Sequence, residues 1–173
     1  LILFAARATD SRYPRRGMFN GRDRNMQRLD YYQIAPEPIT KLASASQYLD
    51  TASVDSSLRL LIEIRVSQIN GCAYCVDLHS RQARKRGEVE QRLDTLFVWR
   101  ETPFFSDRER AALAWAESVT LVSETRVPDA VFESLQEHFT DREIVDLTMI
   151  VSLMNAWNRI AISFRKTIED TRT

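Results

Sequence analysis

Helix signals follow one another from Pro36 to near the end of the chain with no strand-like alternation between them, which points to an all-α domain. Pro36 and Pro38 restrict the entry to a helix reaching about Leu49. Asp55 or Ser56 can cap a second, from about Ser57 to Asn70, with Leu58, Leu61, Ile62, Val66 and Ile69 as its core face. A third is expected from Cys72 to about Arg86, stopped by Gly87, and a shorter fourth from Glu88 to Trp99. Ser106-Asp107-Arg108-Glu109 and Thr140-Asp141-Arg142-Glu143 read as capping boxes for helices to about Val122 and about Arg165. Pro128, at a first helical position, opens another that ends near Phe139. The expectation is a compact bundle of about seven helices.

A chain of 173 residues is about one domain long, and residues 26–173 read as that single domain. Residues 1–25 hold six arginines and no sustained helical period. They read as a disordered arm or as a cloning or upstream-translated segment, with a native basic arm as the alternative. The 24 basic and 24 acidic residues balance to a formal net charge of +0, which gives no electrostatic footprint for nucleic acid or an anionic membrane. No apolar run approaches the roughly 18 residues of a bilayer span. The opening Leu1–Ala6 stretch is short for a signal peptide, so the expected location is the cytoplasm.

Rare residues are concentrated in one place. The chain has two cysteines and two histidines, and three of these four lie within the eight positions from Cys72 to His79. On a helix opened by Cys72 after the Asn70-Gly71 turn, positions 72, 75 and 79 share one face. A thiol near the helix start meets unpaired N–H groups and the positive end of the dipole, which favour thiolate. An imidazole has an unperturbed pKa near neutrality, so a histidine at position 79 can take the thiol proton. A structural zinc site wants four ligands, and no second Cys-x-x-Cys or His pair supplies them. Plain burial of two cysteines leaves their spacing unexplained, and a disulfide closing so short a loop stabilises little. A redox-active dithiol is the working reading, with zinc binding and plain burial as the alternatives.

The segment Val66-Ser67-Gln68-Ile69-Asn70-Gly71-Cys72-Ala73-Tyr74-Cys75, with His79 after it, resembles the AhpD-like alkylhydroperoxidases of the carboxymuconolactone decarboxylase superfamily. So do Trp99–Phe104, Glu109–Trp115 and Asn155–Ala161, and the likeness spans about Met26 to Arg165. The resemblance implies an all-α AhpD-like fold that needs no haem or metal. It implies a Cys-x-x-Cys site that reduces a hydroperoxide substrate and is recharged by a dithiol reductant such as a lipoyl group or a small redox protein. By that likeness Cys75, beside His79, attacks the peroxide and Cys72 is the resolving thiol, although the helix-start argument favours Cys72 as the more acidic. Homo-trimers or homo-hexamers are implied as well.

One position departs from the pattern. The family's proton relay uses a glutamate twelve residues before the first cysteine, where this chain has Leu60. Glu63 lies one turn on, about 60° around the helix, in a polar stripe with Arg59, Ser67 and Asn70. It either takes over as the carboxylate that orients His79 or is an ordinary ion-pair partner of Arg59. Trp157 and Asn158 read as core in preference to site. The competing functions are a redox sensor or stress-linked binding module, and a decarboxylase of the superfamily's other branch, whose chemistry has no use for a dithiol.

Overall fold

A computed structural model describes residues 27–168, so the expectation for residues 1–25 lies outside the described residues. The described residues are helical with no strand: α1 (Tyr31–Ile34), α2 (Pro36–Tyr48), α3 (Ser56–Asn70), α4 (Ala73–Lys85), α5 (Glu90–Thr95), α6 (Asp107–Thr120), α7 (Val122–Thr125), α8 (Asp129–Gln136) and α9 (Asp141–Phe164). Short 3₁₀ turns follow α2 at Leu49–Thr51 and α5 at Leu96–Glu101. Seven of the nine α segments correspond to the helices expected from the sequence. The other two, α1 and α7, are single turns of four residues, too short to show a period. Among the described residues no helix is long and apolar enough to cross a membrane.

The caps explain most boundaries. Asp55 accepts from Ser57 N and Leu58 N at the start of α3. Both capping boxes form, Ser106 with Glu109 on α6 and Thr140 with Glu143 on α9. Pro128 precedes α8 as its cap instead of occupying the first helical position. The expected Glu88–Trp99 helix breaks after Thr95, because Leu93, Leu96 and Trp99 are all buried at three-residue spacing. That spacing suits a 3₁₀ turn, which eclipses positions i and i+3, better than an α-helix.

The central element is α3, which packs on α4, α6 and α9. It needs apolar residues nearly all round, and Leu61, Ile62, Ile64 and Val66 are all essentially inaccessible. Each contributes roughly 1.5–3 kcal/mol by leaving water. Leu58, Ile62 and Val66 join the core built on α6 and α9, while Leu60, Leu61 and Ile64 face a second cluster with Ala83, Leu96, Trp99 and Leu113.

Polar groups in this packing are paired. Asn158 on α9 is fully buried, accepting from Asn70 Nδ2 at 2.9 Å and donating to Ser67 Oγ at 3.1 Å. Ser67 Oγ in turn donates to the carbonyl of Glu63 at 2.7 Å. The end of α3 is thereby tied to α9, immediately before the turn into α4. Asn158→Leu, which keeps the volume but strips both bonds, should lower stability by about 1–3 kcal/mol, read as a fall in the urea midpoint at unchanged slope.

Candidate functional site

The site is built at the junction of α3 and α4. Gly71 ends α3 in the left-handed conformation, at φ 72°, which L side chains rarely adopt. Cys72 N donates to Ser67 O at 2.9 Å, which closes the turn. Cys72 is the cap of α4 and not its first residue, as the sequence reading had it; the helix begins at Ala73. Its sulfur accepts from Cys75 N at 3.3 Å, the role a Ser or Asp oxygen plays at most caps. The two cysteines are paired as a disulfide, with Cα atoms 5.4 Å apart. Both are buried, Cys72 to 1% and Cys75 to 3% exposure.

One turn along α4, His79 meets α3. Its Nδ1 stands 3.2 Å from Glu63 Oε2 and 3.0 Å from Gln82 Oε1. A carboxylate only accepts, so this arrangement calls for a proton on Nδ1, which leaves Nε2 of a neutral imidazole with its lone pair. The other Glu63 oxygen accepts from Arg59 Nε at 2.8 Å, and Arg59 Nη1 reaches Asp50 at 2.7 Å. The two sequence readings of Glu63 therefore coexist, since the same carboxylate pairs with Arg59 and faces His79. At 6% exposure, burial pushes the Glu63 carboxyl up in pKa. The hydrogen bond of His79 and, in its imidazolium form, its charge, then the charge and hydrogen bond of Arg59, outweigh burial and hold it below its ordinary value. Leu60 is buried in the second core cluster and also borders a polar cleft lined by Arg59, Glu63, His79 and Lys85.

The disulfide separates two openings. Cys75 borders a cavity of about 190 Å³ that is also lined by His79, Glu63, Tyr31, Tyr74 and Trp157. Cys72 borders a different cleft of about 460 Å³ between the start of α4 and the end of α9, next to Ile162 and Lys166. A third, polar cleft of about 440 Å³ exposes Glu63 and His79 on the side of Gln82 and Lys85. Among the described residues no group of three or more His, Cys, Asp and Glu side chains could hold a metal ion.

Of the residues singled out from the sequence, Cys72, Cys75, His79 and Glu63 come together. Trp157, read as core, lines the Cys75 cavity while its Nε1 donates to Ser46 Oγ at 2.8 Å; Asn158 is core as expected. Gln82 was missed, although its i+3 spacing from His79 was a usable signal. Tyr31 was missed with no such signal, since it arrives from a one-turn helix distant in sequence.

A model of the carboxymuconolactone decarboxylase family matches residues 36–118. The uncharacterised protein YdfG of Bacillus subtilis (strain 168) is 44% identical over 137 residues, 79% of this chain and 93% of that protein. The chain belongs to the carboxymuconolactone decarboxylase family. A solved Agrobacterium tumefaciens protein of unknown function, suggested to be the antioxidant defence protein AhpD, superposes with TM-score 0.82 at 39% identity. That match covers 84% of this chain and 99% of the other. A peroxidase-related protein from Ralstonia eutropha JMP134, described as an alkylhydroperoxidase AhpD core, superposes with TM-score 0.72 at 26% identity, covering 80% of this chain and 74% of its own. The fold is thus AhpD-like, and the family's Cys-x-x-Cys pair is present at disulfide distance.

Because the Glu63 carboxyl sits below its ordinary value in the folded state, it contributes stability above the unfolded glutamate pKa of about 4.5 and loses it as pH falls through the folded value. Glu63→Gln should therefore be less stable than wild type at pH 7, by on the order of 2 kcal/mol. The gap should narrow steadily below pH 4.5. Urea unfolding of both proteins at pH 7, 5 and 3.5 measures it.

Proposed function

We propose that this protein is a thiol-dependent peroxidase that reduces hydroperoxides through the Cys72–Cys75 dithiol and is recharged by an external dithiol such as a lipoyl group or a small redox protein. The observation that carries the proposal is one cavity bordered at once by Cys75, His79 and Glu63. A thiol, a base and a carboxylate that orients the base form the arrangement by which weak nucleophiles are activated. The suggested AhpD identity of the Agrobacterium protein supports the same reading.

In the reduced enzyme His79 Nε2 takes the Cys75 proton. The thiolate attacks the terminal oxygen of the hydroperoxide, the O–O bond breaks, and the departing alkoxide receives the proton from His79 to leave as an alcohol. Cys75 is then a sulfenic acid. The Cys72 thiol attacks its sulfur and water departs, giving the disulfide. A dithiol entering by the Cys72 cleft exchanges with that disulfide, restores both thiols and leaves oxidised. Cys75 thus keeps the peroxide role and Cys72 the resolving role. Glu63 carries the relay in place of a carboxylate at position 60.

Peroxide consumption with a dihydrolipoyl donor tests this. Wild type should turn over repeatedly; Cys75→Ser should be inactive, and Cys72→Ser should react once and stall. Glu63→Gln should slow the reaction about 10²-fold, whereas Leu60→Glu should raise no rate and cost stability by burying a charge. Oxidation of wild type that stops after one equivalent with reductant present would replace the enzyme by a redox sensor.

The same reading includes a closed homo-trimer or homo-hexamer, because symmetric closed assemblies cover apolar surface. Val145 and Met149, one turn apart on α9, are candidates for such a contact, since both are exposed here. Light scattering at micromolar concentration should give three or six chain masses, and a monomer mass would reject it.

A further inference from the structure

Tyr31 is 7% exposed, yet its hydroxyl has no hydrogen-bond partner among the described residues. Burying a hydroxyl without a partner is costly. No fully sealed side-chain oxygen or nitrogen among the described residues lacks a partner. The Tyr31 hydroxyl therefore keeps contact with open space, and the space this ring borders is the cavity of Cys75 and His79. Its other surroundings are rings: Tyr32 at 4.9 Å and Phe164 at 5.5 Å between centroids.

The ring is held from several sides. Asp30 caps α1, accepting from Tyr32 N and Gln33 N. Arg28 N donates to Phe164 O at 2.9 Å and its guanidinium to Ser163 O at 3.0 Å, so the segment leading to Tyr31 is fastened to the end of α9. A one-turn helix anchored in this way delivers one buried phenol to the cavity wall.

Three phenols line the cavity without a hydrogen-bond partner among the described residues, Tyr31, Tyr32 and Tyr74, and of these only Tyr31 is buried. The remaining polar groups are largely engaged. Arg59 is bound to Glu63 and Asp50, the Trp157 indole N–H to Ser46, and Ser46 Oγ to the carbonyl of Leu42. His79 and Glu63 serve each other. A peroxide whose O–O bond is being cleaved develops negative charge on its departing oxygen, and a donor already aimed at that charge is worth more than one that must reorganise. We propose that Tyr31 is a catalytic residue of this reaction, its hydroxyl donating a hydrogen bond to the departing alkoxide oxygen of a hydroperoxide held between Cys75 and His79.

No net proton comes from Tyr31 in this step. The thiol proton still travels by His79 to the alkoxide, sulfur forms its bond to the terminal oxygen, and the phenol ends the step as it began. Burial, followed by the neighbouring Tyr32, Tyr74 and Asp30, raises the Tyr31 pKa to about 12, so the phenol remains a donor throughout the working pH range. The inference rests on the peroxidase reading and deepens it.

The test is a single-turnover measurement on the reduced full-length protein, with rapid quenching and alkylation reporting oxidation of the Cys72/Cys75 pair. Two oxidants are compared: tert-butyl hydroperoxide, whose departing alkoxide is strongly basic, and peracetic acid, whose departing acetate needs little help. Tyr31→Phe keeps the ring and removes only the hydroxyl. It should slow oxidation by tert-butyl hydroperoxide roughly 10²-fold and leave the peracetic acid rate nearly unchanged. The ratio of the two rates is internal to each protein, so a partly unfolded variant does not distort it.

An equal fall with both oxidants would mean that Tyr31 only packs, and no fall with either would mean that it is idle; each result overturns the proposal while leaving the peroxidase standing. A wild-type pair that neither oxidant converts would overturn the peroxidase itself, and the role of Tyr31 with it.

Discussion

The carboxylate of Glu63 is the constraint around which this site is organised. An ion at 6% exposure is tolerable only if both oxygens are bound, and here one is held by Arg59 and the other faces His79. Each partner fixes something larger. Arg59, reaching on to Asp50, joins α3 to the turn after α2, and His79 joins α3 to α4. A charge inside an apolar bundle thereby sets the register of the two helices that carry the cysteine site. The single proton that a carboxylate demands on His79 Nδ1 also decides which ring nitrogen remains basic.

A second set of polar groups performs the same service for the cysteines. The Asn158–Ser67–Glu63 carbonyl chain and the Asn70–Asn158 bond anchor the last turn of α3 to α9. Beyond that anchor the chain has only Gly71 in which to reverse direction before Cys72 caps α4. Little freedom is left for the Cys-x-x-Cys pair, so its sulfurs meet the cavities the neighbouring helices leave. Asn158 acts on the site without touching it.

The fold was legible because its signals are local. Caps such as Ser106 and Thr140 with their glutamates, and the apolar face of α3, announce helices within windows of a few residues. The errors lie where tertiary packing overrides those windows. Leu93, Leu96 and Trp99 tighten a helix into a 3₁₀ turn to bury three side chains. Cys72, Cys75, His79 and Glu63 were legible as a candidate cluster because three share a short segment and the fourth lies one helix back on a polar stripe. Tyr31 could not be found in this way, since its closeness to Cys75 depends on how the segment before α2 docks on the end of α9.

The stripe on α3 also explains why a carboxylate at position 63 suits this chain and one at position 60 does not. Residues 60, 61 and 64 face the apolar cluster of Ala83, Leu96, Trp99 and Leu113, and Leu60 also borders the polar cleft lined by Glu63, His79 and Lys85. Glu63 and Ser67 make the polar contacts to His79 on α4 and Asn158 on α9, with Arg59 one turn before Glu63 to share its charge. Moving a carboxylate from 63 to 60 rotates it about 60° away from that partner. It would then lie between that apolar cluster and the cleft, without the Arg59 hydrogen bond that helps to keep Glu63 ionised. Position 63 provides both an ionised group and a fixed imidazole because the cation needed to keep a buried carboxylate charged lies on the same helical face.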